Sequence, residues 1–247
     1  MAAVDARGIH DAAARGFERG VADYERGRPG YPADAVELLL AELGVTAGSL
    51  VLDVAAGSGK FTRELVSRGV RVVAVEPVRS MRAALPPEIE ALDGTAEEIP
   101  LADAAVDAVT VAQAFHWFDG DRALAEIHRV LRPGGRLGLI WNRRDQRSEL
   151  QRELSALVDP YRGDAPAYGT GAWREAFDRT RLFTALEERH FPYAVEADGE
   201  TLVARVTSIS FIAVLPEEER ARVVDRVRAL GAGVLEYETD VYWCSRV

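Results

Sequence analysis

The order of hydrophobic stretches along the chain predicts strands and helices in alternation. Short apolar runs that end in turn residues predict buried strands, and these runs lie near 50–54, 71–76, 105–114 and 136–141. Apolar residues at helical spacing predict helices at 35–43, 60–68, 79–85 and 121–131. This order is typical of a parallel sheet that has helices on both faces.

The pattern changes after residue 142. The segment 143–182 is rich in Arg, Asp and Gly and is predicted to be an insertion with helices near 147–158 and 171–180. Residues 183–197 have a strand-like pattern, whereas 201–215 suits a helix or a strand, with helix favoured. A clear helix is predicted over 216–231, with Pro216 at its start and acidic residues in its first turn. Alternation over 235–247 predicts a last strand, which would pair antiparallel.

Together these elements predict one α/β domain over 1–247, since 247 residues suffice to bury one sizeable core. The predicted fold is Rossmann-like: a mostly parallel seven-stranded sheet with helices on both faces and an antiparallel C-terminal strand. Its predicted parts are a helical N-terminal cap, a core, a helical insertion and closing strands and helices. Their bounds are 1–45, 46–142, 143–182 and 183–247.

Composition narrows the classes of partner. The formal net charge is −10, from 40 acidic and 30 basic side chains, which argues against nucleic acid as the main partner. Cys244 is the one cysteine, so no intramolecular disulfide forms, and a cytoplasmic location is expected. The N-terminal residues have no apolar core of a secretory signal, and no apolar run reaches the roughly 20 residues of a membrane span. The sequence does not indicate an oligomeric state.

A turn of small residues follows the first predicted strand. Ala55, Gly57 and Gly59 have little bulk, so a ligand can approach the backbone closely, and the next helix offers free N–H groups. Glu76 ends the second strand, where an acid can accept both hydroxyl protons of a ribose. The pattern therefore predicts a site for a ligand that contains a nucleoside.

Two common nucleotide motifs do not match this turn. A P-loop needs glycine at Val54 and Ser or Thr at Phe61, and a dinucleotide loop needs its third glycine at Thr62. Asp53 would face the turn with a negative charge, which disfavours a pyrophosphate and suits an amino group or a positive sulfur.

Four sequence blocks in this order resemble the class I S-adenosylmethionine-dependent methyltransferases, most closely the branch with ubiquinone/menaquinone-type and many small-molecule enzymes. The blocks are VLDVAAGSGKFT, VVAVEP, GTAEEIPLADAAVDAVTVAQAFHWFD and EIHRVLRPGGRLGLIWN, and together with their spacers they run from 51 to 142. One departure is Ala55, where the family usually has glycine. The resemblance implies methyl transfer from S-adenosylmethionine to a small-molecule acceptor by in-line displacement, without a metal.

The resemblance also implies roles for individual residues. Glu76 would hold the ribose of the cofactor. Residues implied beside its methionine part are Asp53, Ala55, Gly57, Gly59, Gln113 and Ala114. Residues implied beside the adenine are Thr95, Ala96 and Glu97, although many relatives have Asp where Thr95 stands.

The N-terminal segment YERGRPGYP, residues 24–32, resembles a segment found in part of this branch. Tyr24, Arg28 and Tyr31 would fold over the cofactor, and Arg28 would reach its carboxylate. The alternative is an ordinary surface loop.

On the acceptor side, His116 follows the fourth strand and is either a general base or a structural support for its loop. Phe118 is assigned to core packing. Residues predicted to line the acceptor pocket are Tyr31, Phe115, Trp117, Trp141, Asn142 and Arg143. Two other functions stay open at this point: a cofactor-binding protein without turnover that serves a partner, and a nicotinamide-dependent oxidoreductase.

Overall fold

The computed structural model describes residue 16 and residues 21–247. The predicted cap 1–45 therefore lies partly outside the described residues. The helices are α1 Val21–Gly27, α2 Ala33–Glu42, α3 Lys60–Val66, α4 Arg79–Arg82, α5 Gly120–Val130, α6 Glu149–Val158, α7 Glu175–Arg179, α8 Gly199–Thr207, α9 Ser210–Ala213 and α10 Glu217–Leu230. The strands are β1 Leu50–Val54, β2 Arg71–Val75, β3 Glu90–Leu92, β4 Val106–Ala112, β5 Leu131–Arg144, β6 Glu187–Ala197 and β7 Gly233–Ser245.

The seven strands form one sheet in the order β3-β2-β1-β4-β5-β7-β6. Strand β1 runs parallel to β2 and β4, β2 to β3, and β4 to β5. Strand β7 runs antiparallel to β5, since the N–H of Arg246 donates to the carbonyl of Gly135 near the start of β5. The predicted Rossmann-like fold is confirmed. Strand β3 was not predicted, because three residues, one of them charged, give no periodicity.

Apolar side chains of the strands alternate between two cores, one on each face of the sheet. Val51 packs in one core with residues of α2 and α3, such as Leu39 and Phe61. Leu52 points to the opposite face and packs in the other core with residues of α5, such as Ile127. Both faces of the sheet are thus buried, as is usual for parallel strands. The parallel register pairs Val54 with Val75 and with Val111, so the ends of β1, β2 and β4 lie beside one another.

The described residues divide into two compact units. The first, here called the sheet unit, contains Tyr31–Asn142, Pro166–Phe191 and Thr239–Val247. The second, here called the accessory unit, contains the described residues up to Gly30 with Arg143–Ala165 and Pro192–Glu238. The segment 143–182, predicted as one insertion, is thus shared between the two units. Whether 1–247 behaves as a single domain stays a prediction.

Helices make up most of the accessory unit. Helix α8 contacts both α1 and α10, and α10 also contacts α6. Helices α1 and α8 pack closely where Gly27 meets Arg205. A Cβ on Gly27 would lie only 2.2 Å from the backbone nitrogen of Arg205, so no larger residue fits there. Within the described residues, no helix is both long enough and apolar enough to cross a membrane.

Candidate active site

The turn after β1 has an unusual backbone. Ala55, Gly57 and Gly59 have φ angles of 54°, 59° and 88°, all in the left-handed region. A Cβ on Gly59 would also lie 2.7 Å from Leu85 Cδ2, so both space and conformation favour glycine there. Ala55 adopts the same conformation with a Cβ, at a cost of about 1–2 kcal/mol. Backbone strain of this kind is often found at functional sites.

Glu76 connects this turn to the end of β2. Its Oε2 accepts from the N–H of Gly57 and its Oε1 from the N–H of Val78, both at 2.8 Å. The residue is 5% exposed. Burial raises the pKa of Glu76 to about 7, although the two backbone bonds and the charge of Arg82 act in the opposite direction. The carboxyl group predicted to hold a ribose therefore also fixes the glycine turn.

Asp53 is placed differently from the prediction. It does not face the turn: it is fully buried, and its carboxylate accepts from the hydroxyls of Thr62 at 2.7 Å and Thr110 at 3.0 Å. Burial raises the pKa of Asp53 to about 6, against the effect of these two bonds. Asp53 thus joins β1 to α3 and β4. The two threonines were missed, although Thr62 stands in the predicted loop motif itself.

Gln113 directly follows β4 at the same edge of the sheet. Its φ angle is 61°, and its N–H donates to the carbonyl of Ile140 at 2.9 Å. A left-handed glutamine is uncommon and indicates a constrained backbone. Ala114, the next residue, is nearly buried in the core beside it. The predicted positions of both residues at the end of β4 agree with the structure, whereas their contact with a cofactor stays a prediction.

The segment predicted beside the adenine forms a tight turn. Thr95 and Glu98 exchange backbone hydrogen bonds of 3.3 Å, and Ala96 is buried in the core. The Glu97 carboxylate accepts from the N–H of Asp119 at 2.9 Å. These bonds hold the turn in one conformation.

His116 lies in a short 3₁₀ turn, Phe115–Trp117, that follows β4. The indole N–H of Trp141 donates to His116 Nδ1 at 3.3 Å. A neutral imidazole that accepts at Nδ1 carries its proton on Nε2, so Nε2 is then a donor. Of the two roles left open for His116, this geometry favours support and positioning over proton abstraction.

Two residues predicted to line the acceptor pocket lie in the core instead. Phe115 and Trp141 are each 1% exposed. Their rings belong to an aromatic cluster, and both contact Trp173, with ring centroids 6.3 Å and 4.9 Å away respectively. The prediction overlooked that the other half of this cluster comes from residues 168–177 and from β7. Of the other rings, Trp117 and Phe118 are partly exposed, and Phe118 packs against the core as predicted.

The remaining residues predicted on the acceptor side have partners in the structure. The side-chain oxygen of Asn142 accepts from the hydroxyl of Thr239 at 2.7 Å. Arg143 forms an ion pair with Glu238 in the accessory unit. In the sheet unit, the Tyr31 ring packs edge-on against Phe61, with centroids 5.1 Å apart.

Tyr24 and Arg28 lie in the accessory unit. The Arg28 guanidinium is 5.2 Å from the Tyr24 ring centroid and donates to both the hydroxyl and the carbonyl of Ser208 at 3.1 Å. These contacts link α1 to the end of α8. A contact of Arg28 with a cofactor carboxylate stays a prediction.

One polar network in the sheet unit joins residues to which no role was assigned from the sequence: Tyr168, His190, Asp240 and Tyr242. The hydroxyl of Tyr168 donates to Asp240 at 2.5 Å and lies 2.7 Å from the Tyr242 hydroxyl. The other oxygen of the buried Asp240 lies 2.7 Å from His190 Nδ1. Burial and the Asp240 carboxylate raise the pKa of Tyr168, so the phenol stays protonated. These residues are up to 74 positions apart, and no local pattern connects them.

Comparison with known proteins identifies the family to which this chain belongs. Residues 52–139 match a family model described as a methyltransferase domain. The chain is 44% identical over 225 residues to an uncharacterized methyltransferase of Mycobacterium tuberculosis, covering 87% of this chain and 84% of that protein. A ubiquinone/menaquinone biosynthesis C-methyltransferase of Rubrivivax gelatinosus is 38% identical over 95 residues, 36% of this chain and 38% of that protein.

Among solved structures, a phosphoethanolamine N-methyltransferase of Haemonchus contortus in complex with phosphomonomethylethanolamine and S-adenosylhomocysteine has a TM-score of 0.55 at 16% identity. The match covers 93% of this chain and 57% of that one. The chain belongs to the class I S-adenosylmethionine-dependent methyltransferases. The ubiquinone/menaquinone branch is supported only in part, because that relative matches about a third of the chain. Because the chain belongs to this family, the alternative function of a nicotinamide-dependent oxidoreductase is no longer supported.

Proposed function

We propose that this enzyme transfers the methyl group of S-adenosylmethionine to a small-molecule acceptor. The observation that carries the proposal is Glu76, a nearly buried carboxylate at the end of β2 that also holds the N–H of Gly57 in the turn after β1. Such a carboxylate, beside a turn of small residues, is suited to the ribose of a nucleoside cofactor.

The residues of the sheet unit suit this cofactor in three respects. The left-handed turn from Ala55 to Gly59 exposes backbone to a ligand with little side-chain obstruction. Glu76 provides two carboxylate oxygens, each with a second lone pair left for a ribose hydroxyl. Gln113 and Ala114, at the end of β4, would border the methionine part. When bound, S-adenosylmethionine supplies a methyl group on a positively charged sulfur, which is a good leaving group.

The chain itself would act mainly by positioning the acceptor and excluding water, since displacement at the methyl carbon requires an in-line approach. His116, held by the Trp141 indole, would orient the acceptor through its Nε2–H. The partly exposed rings of Trp117 and Tyr31 would border the acceptor or the sulfonium. This chemistry needs no metal. We also propose that the enzyme is cytoplasmic.

The test is titration calorimetry of the purified protein with S-adenosylhomocysteine, and in parallel with NAD. We expect S-adenosylhomocysteine to bind and NAD to give no heat. Binding of NAD alone would contradict the proposed cofactor.

The acceptor is tested by incubation with S-adenosylmethionine and panels of small hydroxy, amino, thiol and carboxylic acid compounds, measuring S-adenosylhomocysteine release. Turnover with any small molecule supports the proposal. Cofactor binding without turnover on these panels, but with turnover on a protein or nucleic acid, would refute the small-molecule acceptor. A His116→Asn variant, which keeps an acceptor for the Trp141 indole, should retain turnover if His116 only positions the acceptor.

A further inference from the structure

A second charged site lies in the accessory unit, which the methyl-transfer proposal uses little. Arg205 of α8 is 8% exposed. Its Nε donates to the hydroxyl of Tyr237 at 3.2 Å. The buried NH1 nitrogen of the same guanidinium has no hydrogen-bond partner among the described residues. A buried guanidinium nitrogen without a partner is rare, because the loss of hydration is then not offset.

Arg144, at the end of β5, is a second cation in the same environment. Its guanidinium donates to the neutral hydroxyl of Ser155 at 3.2 Å. Burial lowers the pKa of Arg144, and the positive charges of Arg205 and Arg28 lower it further. The pairing of β5 with β7 brings Arg144 close to Arg205. The N–H of Asp145 donates to the carbonyl of Glu236 at 3.0 Å and Arg143 pairs with Glu238, so Arg144 lies opposite Tyr237, the hydroxyl partner of Arg205.

The positive charge of Arg144 and Arg205 is poorly offset by acidic side chains. Tyr237 and Asp159 are the groups that favour the charged form of Arg144, but Asp159 forms its own ion pair with Arg162 at 2.7 Å. Within the part of the chain that the structure describes, neither Arg144 nor Arg205 has an acidic side chain within ion-pair distance. Arg205 is buried and Arg144 is half-buried, and cations placed in this way without a counter-ion are unfavourable in a protein alone.

We propose that Arg144 and Arg205 form an anion-binding site in the accessory unit, which takes a carboxylate or phosphate group of a small ligand. The planar guanidinium offers paired N–H groups that match the oxygens of either anion. The Tyr237 hydroxyl, which accepts from Arg205, has its own proton to donate to the same anion. The bound anion would supply both the missing hydrogen bond and the missing negative charge.

Two molecules can provide this group: the acceptor, through an acid group, and the cofactor, through its own carboxylate. Anion binding by the accessory unit does not depend on methyl transfer. Its assignment to the acceptor rests on the proposed function.

The first experiment measures the thermal midpoint of the full chain with inorganic phosphate in place of chloride at constant ionic strength. The variants are Arg205→Met and Arg144→Met, and the matched control is Arg222→Met, an exposed arginine of α10. We expect phosphate to raise the midpoint of the parent and of the control by roughly 3 °C. We expect no rise in either of the other two variants.

The midpoint without phosphate separates a binding role from a structural one. Arg205→Met should melt at the same temperature as the parent or higher, since a buried charge without a counter-ion is removed. A lower midpoint in that variant, together with an undiminished phosphate effect, would overturn the proposal. So would a phosphate effect that is absent from the parent or equal in all four proteins. Arg144→Met tests the same site if Arg205→Met does not fold.

A second experiment identifies the source of the anion by calorimetry with S-adenosylhomocysteine and with 5′-methylthioadenosine, which lacks the amino acid part. If Arg205→Met lowers the affinity for S-adenosylhomocysteine by roughly tenfold but not the affinity for 5′-methylthioadenosine, the anion is the carboxylate of the cofactor. If both affinities are unchanged while the phosphate effect is lost, the site takes the acid group of another ligand, the acceptor. If neither nucleoside binds to the parent, the proposed function fails while the phosphate result still decides the anion site.

Discussion

The two units differ in how far their buried charged groups are satisfied by hydrogen bonds. In the sheet unit, both oxygens of Asp53 and both of Glu76 accept hydrogen bonds from the protein. In the accessory unit, Arg205 keeps a buried nitrogen without a partner among the described residues, and Arg144 donates to a neutral hydroxyl. A satisfied network rigidifies its surroundings, whereas an unsatisfied one remains costly until a ligand completes it.

The difference separates two kinds of site. Glu76 holds the turn after β1 in place before any ligand binds, and Asp53 joins β1 to α3 and β4. The protein itself therefore supplies the shape of the proposed nucleoside site. The arginines of the accessory unit supply charge but lack the group that neutralises it. We therefore expect substitutions of the carboxylates to damage both the site and the protein, and substitutions of the arginines to damage binding alone.

The largest effect is expected from Glu76→Ala. The variant loses the proposed bonds to the ribose together with the anchor of the Gly57 N–H. Bonds to a charged group contribute about 1.5–3 kcal/mol each, so the affinity for S-adenosylhomocysteine should fall by roughly 1,000-fold. Calorimetry measures this loss, and the exposed Glu88→Ala serves as the control. An affinity within a few-fold of the parent would show that Glu76 does not contact the ribose.

A smaller effect is expected in the pH dependence of stability. Burial raises the pKa of Glu76 from the ordinary glutamate value of 4.5, which applies to the unfolded chain, to about 7 in the folded protein. Because the folded protein holds this proton more tightly, the contribution to stability is fully present below pH 4.5 and is lost as the pH rises through 7. Between these limits the free energy of unfolding should fall by about 3 kcal/mol from this group. Asp53, whose pKa is raised to about 6, adds a decrease in the same direction.

Urea unfolding across this pH range measures the effect without ligand. Glu76→Gln does not titrate, so its stability should fall less steeply than that of the parent between pH 4.5 and 7. Glu88→Gln should keep the slope of the parent. Equal slopes in all three proteins would mean that Glu76 is not perturbed by burial.

The sequence predicted the fold better than the site, and the reason is the range of the interactions. Strand β1, the turn after it and Glu76 follow from local periodicity and from residue types at fixed spacing. The environment of Asp53 does not, since its partner Thr110 lies 57 positions away. The same holds for His190 and Asp240, 50 positions apart, whose contact depends on the pairing of the last strands.

The smallest effect is expected from substitution of Ala55, the one residue of the turn that differs from the usual glycine of the family. The left-handed conformation costs alanine about 1–2 kcal/mol, whereas glycine adopts it freely but loses about 0.5–1 kcal/mol through the entropy of the unfolded chain. Ala55→Gly should therefore raise stability by at most about 1.5 kcal/mol, which corresponds to at most roughly 3–6 °C in the thermal midpoint.

Ala104 provides a matched control for this change. It has a φ angle of 51°, lies in an exposed turn before β4, and was not assigned to any site. Ala104→Gly should give a similar gain in thermal midpoint, because the same strain is relieved. Only Ala55→Gly should alter the affinity for S-adenosylhomocysteine, since only that residue belongs to the turn fixed by Glu76. If both variants change the affinity equally, the strain at Ala55 has no connection with the cofactor site. If Ala55→Gly melts below the parent while Ala104→Gly does not, the methyl group of Ala55 contributes packing that outweighs its strain.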